Sequence, residues 1–484
     1  MTWQSITESK WFDNPDDAVD YIHVLYNKSI KNIRNAFDKF TKSGSNADHH
    51  PENFCYPFLG IDIELKDLFV DPSFAYGLVS EPGRYGTTLT EPELFDSYYR
   101  EQIGLLISRH RVPVVVGYSN WPIPIPFVIE HSQAQFDVDE LIKLQSKFVL
   151  PNLKRINDNL ANATFKSSED IMPLCLFPGE RTDFSLQRLH HYTGTQPKHF
   201  QNFLLLTNYQ RYVDEFINYA SNQIKNNPDE EWELVGPGET IIASNISKTS
   251  DLPNHLPQMP AFHFKQKNRN GITMVNIGVG PSNAKTITDH LAVLRPHCWI
   301  MLGHCAGLRA SQVLGDYVLA DGYVREDHVL DGDLPTWVPV PPIAEIQQAF
   351  QQAVLHVVDK PEGDLKSSIR TGTVLTTDNR NWELQSEQLY ERFRKSRAIA
   401  VDMESATIAA NGFRFRVPYG TLLCVSDKPI HGVIKLQAMA NAFYRNRIHQ
   451  HLLVGLEAIN ILQKMDLQRL HSRKLRGFDE CPFR

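Results

Sequence analysis

Residues 272–303 read ITMVNIGVGPSNAKTITDHLAVLRPHCWIMLG. An apolar run from Ile272 to Ile277 breaks at Gly278-Val-Gly280-Pro-Ser-Asn283, after which Ile287, Leu291 and Leu294 recur at helical spacing. A second apolar run, Cys298 to Leu302, ends at Gly303. Short runs with no polar face, alternating with amphipathic helices, specify strands of a largely parallel sheet covered on both sides. The rhythm continues on both flanks. Phe203-Leu-Leu-Leu206 precedes a helix carrying Val213, Phe216 and Ile217, and further strands are expected at Asp316–Ala320, Thr371–Leu375, Ala398–Val401 and Thr421–Val425. A last long helix is expected over about Gln437–Leu462.

Upstream of about residue 180 the texture differs. Val19, Ile22, Tyr26, Ile30, Ile33, Phe37 and Phe40 give one helix a buried face. Thr90-Glu-Pro-Glu93 has capping-box spacing and opens a second helix with Leu94, Tyr98, Ile103 and Leu106. Between Val112 and Ile129 a short strand and a Pro-rich connection are expected. The reading is therefore α/β: a mostly parallel twisted sheet flanked by helices over 181–484, and a separate N-terminal, mainly helical α+β domain over 1–180 with an accessory, regulatory role.

Composition narrows the classes. With 42% hydrophobic and 22% charged residues, the 484-residue chain carries enough apolar surface for a substantial core and is not a disordered or disulfide-scaffold protein. Its 49 basic and 56 acidic side chains leave a net charge of −7, which argues against wholesale binding to nucleic acid or an anionic membrane. The longest uncharged stretch, Val112 to Ile129, holds Pro113, Pro122, Pro124 and Pro126 and cannot be a regular spanning helix. Six cysteines without a CxxC pair read as buried free thiols of a reducing, cytoplasmic compartment, and no metal-ligand spacing is found.

In such a sheet, ligands sit beyond the carboxyl ends of the strands. Gly278-x-Gly280 follows one strand, but position 283 is Asn where a dinucleotide fingerprint needs a third glycine, and no P-loop occurs. Two carboxylates are the stronger signal. Ala398-Ile-Ala-Val401 runs into Asp402-Met-Glu404-Ser, and Thr421-Leu-Leu-Cys-Val425 runs into Ser426-Asp427-Lys428. A single carboxylate at a strand end is most often a helix cap or turn residue. Two that converge on one cleft can divide the work, one holding a polyol or emerging cation and the other donating a proton.

Asn276-Ile-Gly-Val-Gly-Pro-Ser-Asn283, Gly303-His-Cys-Ala-Gly-Leu308 with Gly315-Asp-Tyr-Val-Leu319, Val401-Asp-Met-Glu-Ser405 and Val425-Ser-Asp427 occur in order. Together they resemble the nucleoside phosphorylase/nucleosidase superfamily, which cleaves N-glycosidic bonds. Arg188-Leu-His-His-Tyr-Thr-Gly194, Asn208-Tyr-Gln-Arg-Tyr-Val-Asp214, Thr376-Thr-Asp-Asn-Arg-Asn-Trp-Glu383 and His471-Ser-Arg-Lys-Leu-Arg476 extend the resemblance, over nearly the whole chain, to the bacterial AMP nucleosidases.

The resemblance implies a phosphorylase-like fold and hydrolysis of AMP to adenine and ribose 5-phosphate. It places Asp427 as the acid toward purine N7, Glu404 on the ribose 2′- and 3′-hydroxyls, and Met403 against the sugar. Gly278, Gly280 and Gly303 would shape the turns around the substrate, with His304 lining the pocket behind Gly303. Asn381 and Trp382 are candidates for the base, and Arg211 for the 5′-phosphate. His191, with Arg188 nearby, matches a residue reaching the sugar 5′-end of a neighbouring subunit. Lys428 is expected to pair with Asp427 or face solvent. Superfamily phosphorylases carry an Arg two residues before the glycine at 303; Met301 stands there, which favours water over phosphate. The loop 207–211 lacks the carboxylate with which family hydrolases of methylthioadenosine activate water, although Asp214 and Glu215 follow one turn later. The resemblance further implies a homohexamer with no cofactor required for the chemistry, Mg-ATP as an allosteric activator and phosphate as an inhibitor. Two other readings stay open on the same residues: a purine nucleoside phosphorylase and a non-catalytic nucleotide-sensing protein.

Overall fold

The computed structural model describes residues 3–43, 54–68, 73–129, 142, 145–166, 171–244, 252–358, 369–434, 437–471 and 473–484, without the side chains of 4 and 437–446. It forms two compact units, Met1–Gln187 together with Gly477–Arg484, and Arg188–Arg476. The division at 187/188 lies within the helix Gly179–Thr193, against the 180/181 boundary expected from sequence.

In the first unit β1 (Thr7–Phe12), β2 (Cys55–Ile63), β3 (Gly83–Thr88), β4 (Val114–Pro122) and β5 (Met172–Pro173) form one sheet in the order β1-β4-β2-β3-β5. Only β3 and β5 are parallel. The helix Pro15–Ser43 buries Val19, Ile22, Tyr26, Ile33 and Phe37, the face its spacing predicts. In the helix Pro92–His110 the buried face is Phe95, Tyr99, Ile103 and Leu106, so its start is rotated from the Leu94 and Tyr98 expected. Nor does Thr90 cap that helix. Its hydroxyl donates to the buried Asp183 carboxylate at 2.6 Å, as does the Tyr56 hydroxyl at 2.6 Å, because a carboxylate out of water needs donors more than a helix end does.

The second unit is built on ten strands: β6 (Phe203–Thr207), β7 (Glu233–Gly236), β8 (Thr240–Ser244), β9 (Ala261–Lys265), β10 (Ile272–Asn276), β11 (Cys298–Gly307), β12 (Tyr317–Glu326), β13 (Ile369–Thr377), β14 (Ala400–Asp402) and β15 (Tyr419–Asp427). Their order is β14-β13-β12-β15-β11-β6-β10-β9-β7-β8. Parallel pairing runs within two groups, β10-β6-β11-β15 and β12-β13-β14, which meet antiparallel at β12 and β15. A further pairing of β14 with β11 closes five strands on themselves. Every residue of β6 and β11 is buried, which is why both read as uninterrupted apolar runs.

That closure is what assembles the site. Ala306 of β11 pairs with Asp427 at the end of β15 and with Val401 of β14, one residue before Asp402. The register shifts between Cys305 and Ala306, so the strand bends where the two partners meet. The two carboxylate-bearing strand ends are thus brought together by a third strand between them. Among the described residues no helix is long and apolar enough to cross a membrane.

Candidate active site

A cavity of about 300 Å³ opens at this junction, at the low end of the range for small-molecule sites. Asn208 and Tyr209 after β6, Val279, His304 to Ala306 of β11, Arg380, Trp382, Glu383, Val401 to Glu404, Ser426 and Asp427 line it. Asp402 and Glu404, two residues apart at the end of β14, do different work. Asp402 accepts from the Ser405 amide at 2.9 Å, the Ser405 hydroxyl and Thr376 Oγ1 at 2.6 Å, tying the start of the helix Ser405–Phe415 to β13. The Thr376 hydroxyl in turn accepts from the Ala406 amide at 2.8 Å. Glu404, the residue at the N-cap of that helix, makes no side-chain cap bond and lines the cavity.

Glu404 is almost wholly buried, at 1% exposure, and both oxygens are held. Oε2 accepts from Asn208 Nδ2 at 2.9 Å and Oε1 from the Gly280 amide at 2.6 Å. Gly280 can aim that amide because its φ is +112°, a conformation open to glycine and strained for other residues. Burial pushes the Glu404 carboxyl up to about 8, with the neighbouring Asp402 charge adding to the rise and the two donors opposing it. Asp402 is raised by burial as well, opposed by its own donors.

Asp427 ends β15 and faces the same cavity, with Ser426 Oγ donating to its Oδ1 at 2.6 Å. Lys428 does not serve it. The Lys428 ammonium donates to the Ala310 and Gln312 carbonyls, at 2.9 and 2.7 Å, which correct the expected pairing with Asp427. Trp382 has two roles: its ring packs edge-on to Phe393 in a cluster with Ala306, Leu375 and Val401, and it also lines the cavity. Among the described residues no group of three or more His, Cys, Asp or Glu is placed to hold a metal ion.

Of the residues singled out from sequence, Asp427, Glu404, Met403, His304 and Trp382 line the cavity, and Gly280 reaches it through the Glu404 bond. Gly278 sits at φ +69° in the same turn. Gly303 is buried in β11, where a Cβ would stand 2.8 Å from Met301 Cε and 3.4 Å from Asn208 Oδ1. Asn381 is exposed at the entry to the turn Trp382–Gln385 and is not among the lining residues. Arg211 is exposed in the first turn of the helix Gln210–Asn226. Arg188 donates to the Tyr192 hydroxyl and lies over its ring at 4.6 Å, and His191 packs edge-on to the same ring at 5.2 Å. These three cationic candidates stand apart from the lining.

Sequence reasoning passed over Asn208, Tyr209, Arg380 and the capping role of Asp402. Asn208 lay within reach. It is the first polar residue after β6, at the strand end where ligands are expected.

Two carboxylates at converging strand ends fit the class that cleaves N-glycosidic bonds, and the comparisons place the chain in that class. Residues 245–445 match the family described as Phosphorylase superfamily, and residues 17–171 match the one described as Bacterial AMP nucleoside phosphorylase N-terminus. Over 478 residues the chain is 47% identical to the AMP nucleosidase of Escherichia coli strain K12, covering 97% of this chain and 98% of that protein; the O157:H7 protein gives the same values. A crystal structure of AMP nucleosidase from Bacteroides thetaiotaomicron is 28% identical and superposes with a TM-score of 0.43, covering 58% of this chain and 98% of that one. The chain belongs to the AMP nucleosidase family.

Proposed function

We propose that this chain hydrolyses the N-glycosidic bond of AMP, releasing adenine and ribose 5-phosphate. The observation that carries the reading is the meeting of Glu404 and Asp427 in one cavity, in a chain 47% identical to an AMP nucleosidase over nearly its full length. Breaking the purine N9–C1′ bond requires a leaving base that is protonated and a sugar cation that is stabilised. Asp427 gives a proton to N7 of the purine, with the Ser426 hydroxyl orienting its carboxyl. Glu404, held by Asn208 and Gly280, accepts the 2′- and 3′-hydroxyls, and the charge it develops there favours the oxocarbenium-like sugar. Met403 packs on the sugar, and Trp382 meets the base. Met301, fully buried in β11, supplies none of the charge a phosphate nucleophile would need, which supports water as the acceptor.

Arg211, with His191 and Arg188, remains the proposed set for the 5′-phosphate. Arg211→Ala then raises KM for AMP far more than for adenosine, and an equal effect on both removes it from that set. Assembly as a homohexamer, activation by Mg-ATP and inhibition by phosphate are part of the same proposal and rest on the family resemblance. Residence in the cytoplasm is supported by six buried, free cysteines. The test of the activity is direct: purified protein with AMP yields adenine and ribose 5-phosphate in equal amounts. Failure to release adenine from AMP overturns the reading.

A further inference from the structure

The apolar cluster behind Trp382 borders two cavities. Ala306, Trp382 and Val401 of that cluster line the active site. Phe393 and Ala398, with the partly buried Leu308 and Ile430 packed against them, line a second cavity of about 790 Å³ that shares no lining residue with the first. The Phe393 and Trp382 rings stand edge-on with centres 5.5 Å apart, so one aromatic contact joins the floor of the second cavity to the wall of the active site.

The rim of the second cavity is cationic. Glu387, Tyr390, Glu391 and Arg394 recur on one face of the helix Ser386–Ser396 and line it, with Lys395 next to them and Arg397 at the C-cap. Arg309, in the turn after β11, donates from Nη2 to the Arg397 carbonyl at 2.8 Å. That bond anchors one corner of the Arg309 guanidinium and leaves its other N–H groups for a ligand. Lys395 is engaged by Glu391 at 2.5 Å, whereas among the described residues the Arg394 and Arg397 guanidinia have no ion pair. His431 Nε2 donates to the Leu308 carbonyl at 3.2 Å, tying the turn after β15 to the same edge.

Basic residues in the last turn of a helix suit its dipole, and those on this helix alone would mark nothing. Arg309 comes from a different segment, however. The lining as a whole carries two positive charges in excess, four cations against Glu387 and Glu391, in a chain of net charge −7. The helix end sets about half a negative charge against an anion there, which three guanidinia exceed several-fold. Guanidinium forks match phosphate oxygens. The floor is apolar, and Tyr390, one turn before Arg394, is 48% exposed and offers a ring face to stack on. Such a site fits a ligand with a flat ring at one end and phosphates at the other. Its volume is more than twice the 300 Å³ of the active-site cavity, room for more phosphate than a monophosphate carries.

We propose that this cavity is a second ligand site for a nucleoside di- or triphosphate, with the ring on Tyr390 and the apolar floor, the phosphates on Arg309, Arg394 and Arg397, and Phe393 coupling occupancy to the active site. A ligand packed on Phe393 restrains that ring and, through the edge-on contact, the Trp382 wall that meets the base. Less freedom is then lost when AMP binds, so occupancy tightens AMP. The effect on AMP rests on the hydrolase reading above; binding at the cavity does not need it.

The test uses ATP as the probe and the full chain saturated with a C-nucleoside analogue of AMP, which blocks the active site and cannot be cleaved. Calorimetry is expected to show one ATP bound per chain. The double variant Arg394→Gln/Arg397→Gln, with an unchanged melting profile, weakens ATP about tenfold or more, and raising the salt weakens it in wild type. Adenosine, without phosphates, and tripolyphosphate, without the ring, each bind at least tenfold more weakly than ATP. In steady-state kinetics ATP lowers KM for AMP about fivefold or more in wild type and not in the double variant. Phe393→Leu keeps the ATP affinity and loses the shift in KM. Equal ATP affinity in the double variant, or tripolyphosphate as tight as ATP, overturns the proposal, as does a wild-type KM that ATP leaves unchanged. Absence of ATP binding together with a smaller sedimenting species in the double variant also overturns it and assigns the face to contact with a second copy of the chain. Lack of adenine release by wild type is a failure of the hydrolase reading, and the calorimetry then decides this one.

Discussion

Asn208 Nδ2 donates to Glu404 Oε2 at 2.9 Å, joining the end of β6 to the end of β14 across 196 positions of sequence. The contact sets the orientation of the carboxylate assigned to the ribose. A hydrogen bond to a charged group contributes about 1.5–3 kcal/mol, so Asn208→Ala lowers kcat/KM for AMP by roughly 10- to 100-fold. Asn208→Asp lowers it further, because a second carboxylate then faces Glu404. Steady-state kinetics with AMP check both, and an Asn208→Ala enzyme within twofold of wild type would detach Glu404's orientation from catalysis.

Asp427→Asn keeps the size of the side chain and removes its acid. With AMP, kcat is expected to fall ~10²–10⁴-fold while KM changes little, the signature of an interaction made in the transition state. Retention of full activity would remove Asp427 from the role of acid.

The Glu404 carboxyl is pushed up to about 8 from its ordinary 4.5, so the folded protein holds that proton more tightly than the unfolded chain does. Its contribution to stability is therefore full below about pH 4.5 and is lost as pH rises toward 8. Each tenfold difference in proton affinity between the folded and unfolded chain corresponds to about 1.4 kcal/mol. In Glu404→Gln this loss is absent, so the difference in melting temperature between variant and wild type should move in the variant's favour from pH 5 to pH 8. A difference independent of pH would show that Glu404 is ionised in the folded protein. In kinetics the same proton must leave before the ribose hydroxyls bind, so kcat/KM, which reports the free enzyme, carries a Glu404 limb that kcat lacks.

Gly280 offers a separate control, because no atom lies within 4 Å of where its Cβ would stand while φ is +112°. Gly280→Ala is thus a conformational change without a clash. Strain at such a position costs about 1–3 kcal/mol, and relief of it re-aims the amide that holds Glu404 Oε1. Expected are a lower melting temperature and a fall in kcat/KM for AMP of at least tenfold. Activity equal to wild type would show that the Gly280 bond does not position Glu404.

How far the sequence carries the site depends on whether a residue's role is local. The strands β6, β10, β11 and β15 were legible because each is buried on both faces and reads as an apolar run ended by a turn. Glu404 and Asp427 were legible because they terminate such runs. Asp402 was not separable from Glu404, since both follow β14 and only the Thr376 and Ser405 bonds show which is the cap. Asn208 could be placed at a strand end but not given a role, because its partner Glu404 lies 196 positions away. In the first unit, β2 carries Pro57 and Gly60 and β3 carries Gly83 and Gly86, residues that read as breaks until pairing with neighbours sustains the strands.

The central claim is that water, not phosphate, receives the ribosyl group. The most direct measurement is the sugar product formed from AMP with and without inorganic phosphate, separated by chromatography and identified by mass. Ribose 5-phosphate as the sole sugar product under both conditions is the result predicted. Ribose 1,5-bisphosphate appearing whenever phosphate is present would contradict it.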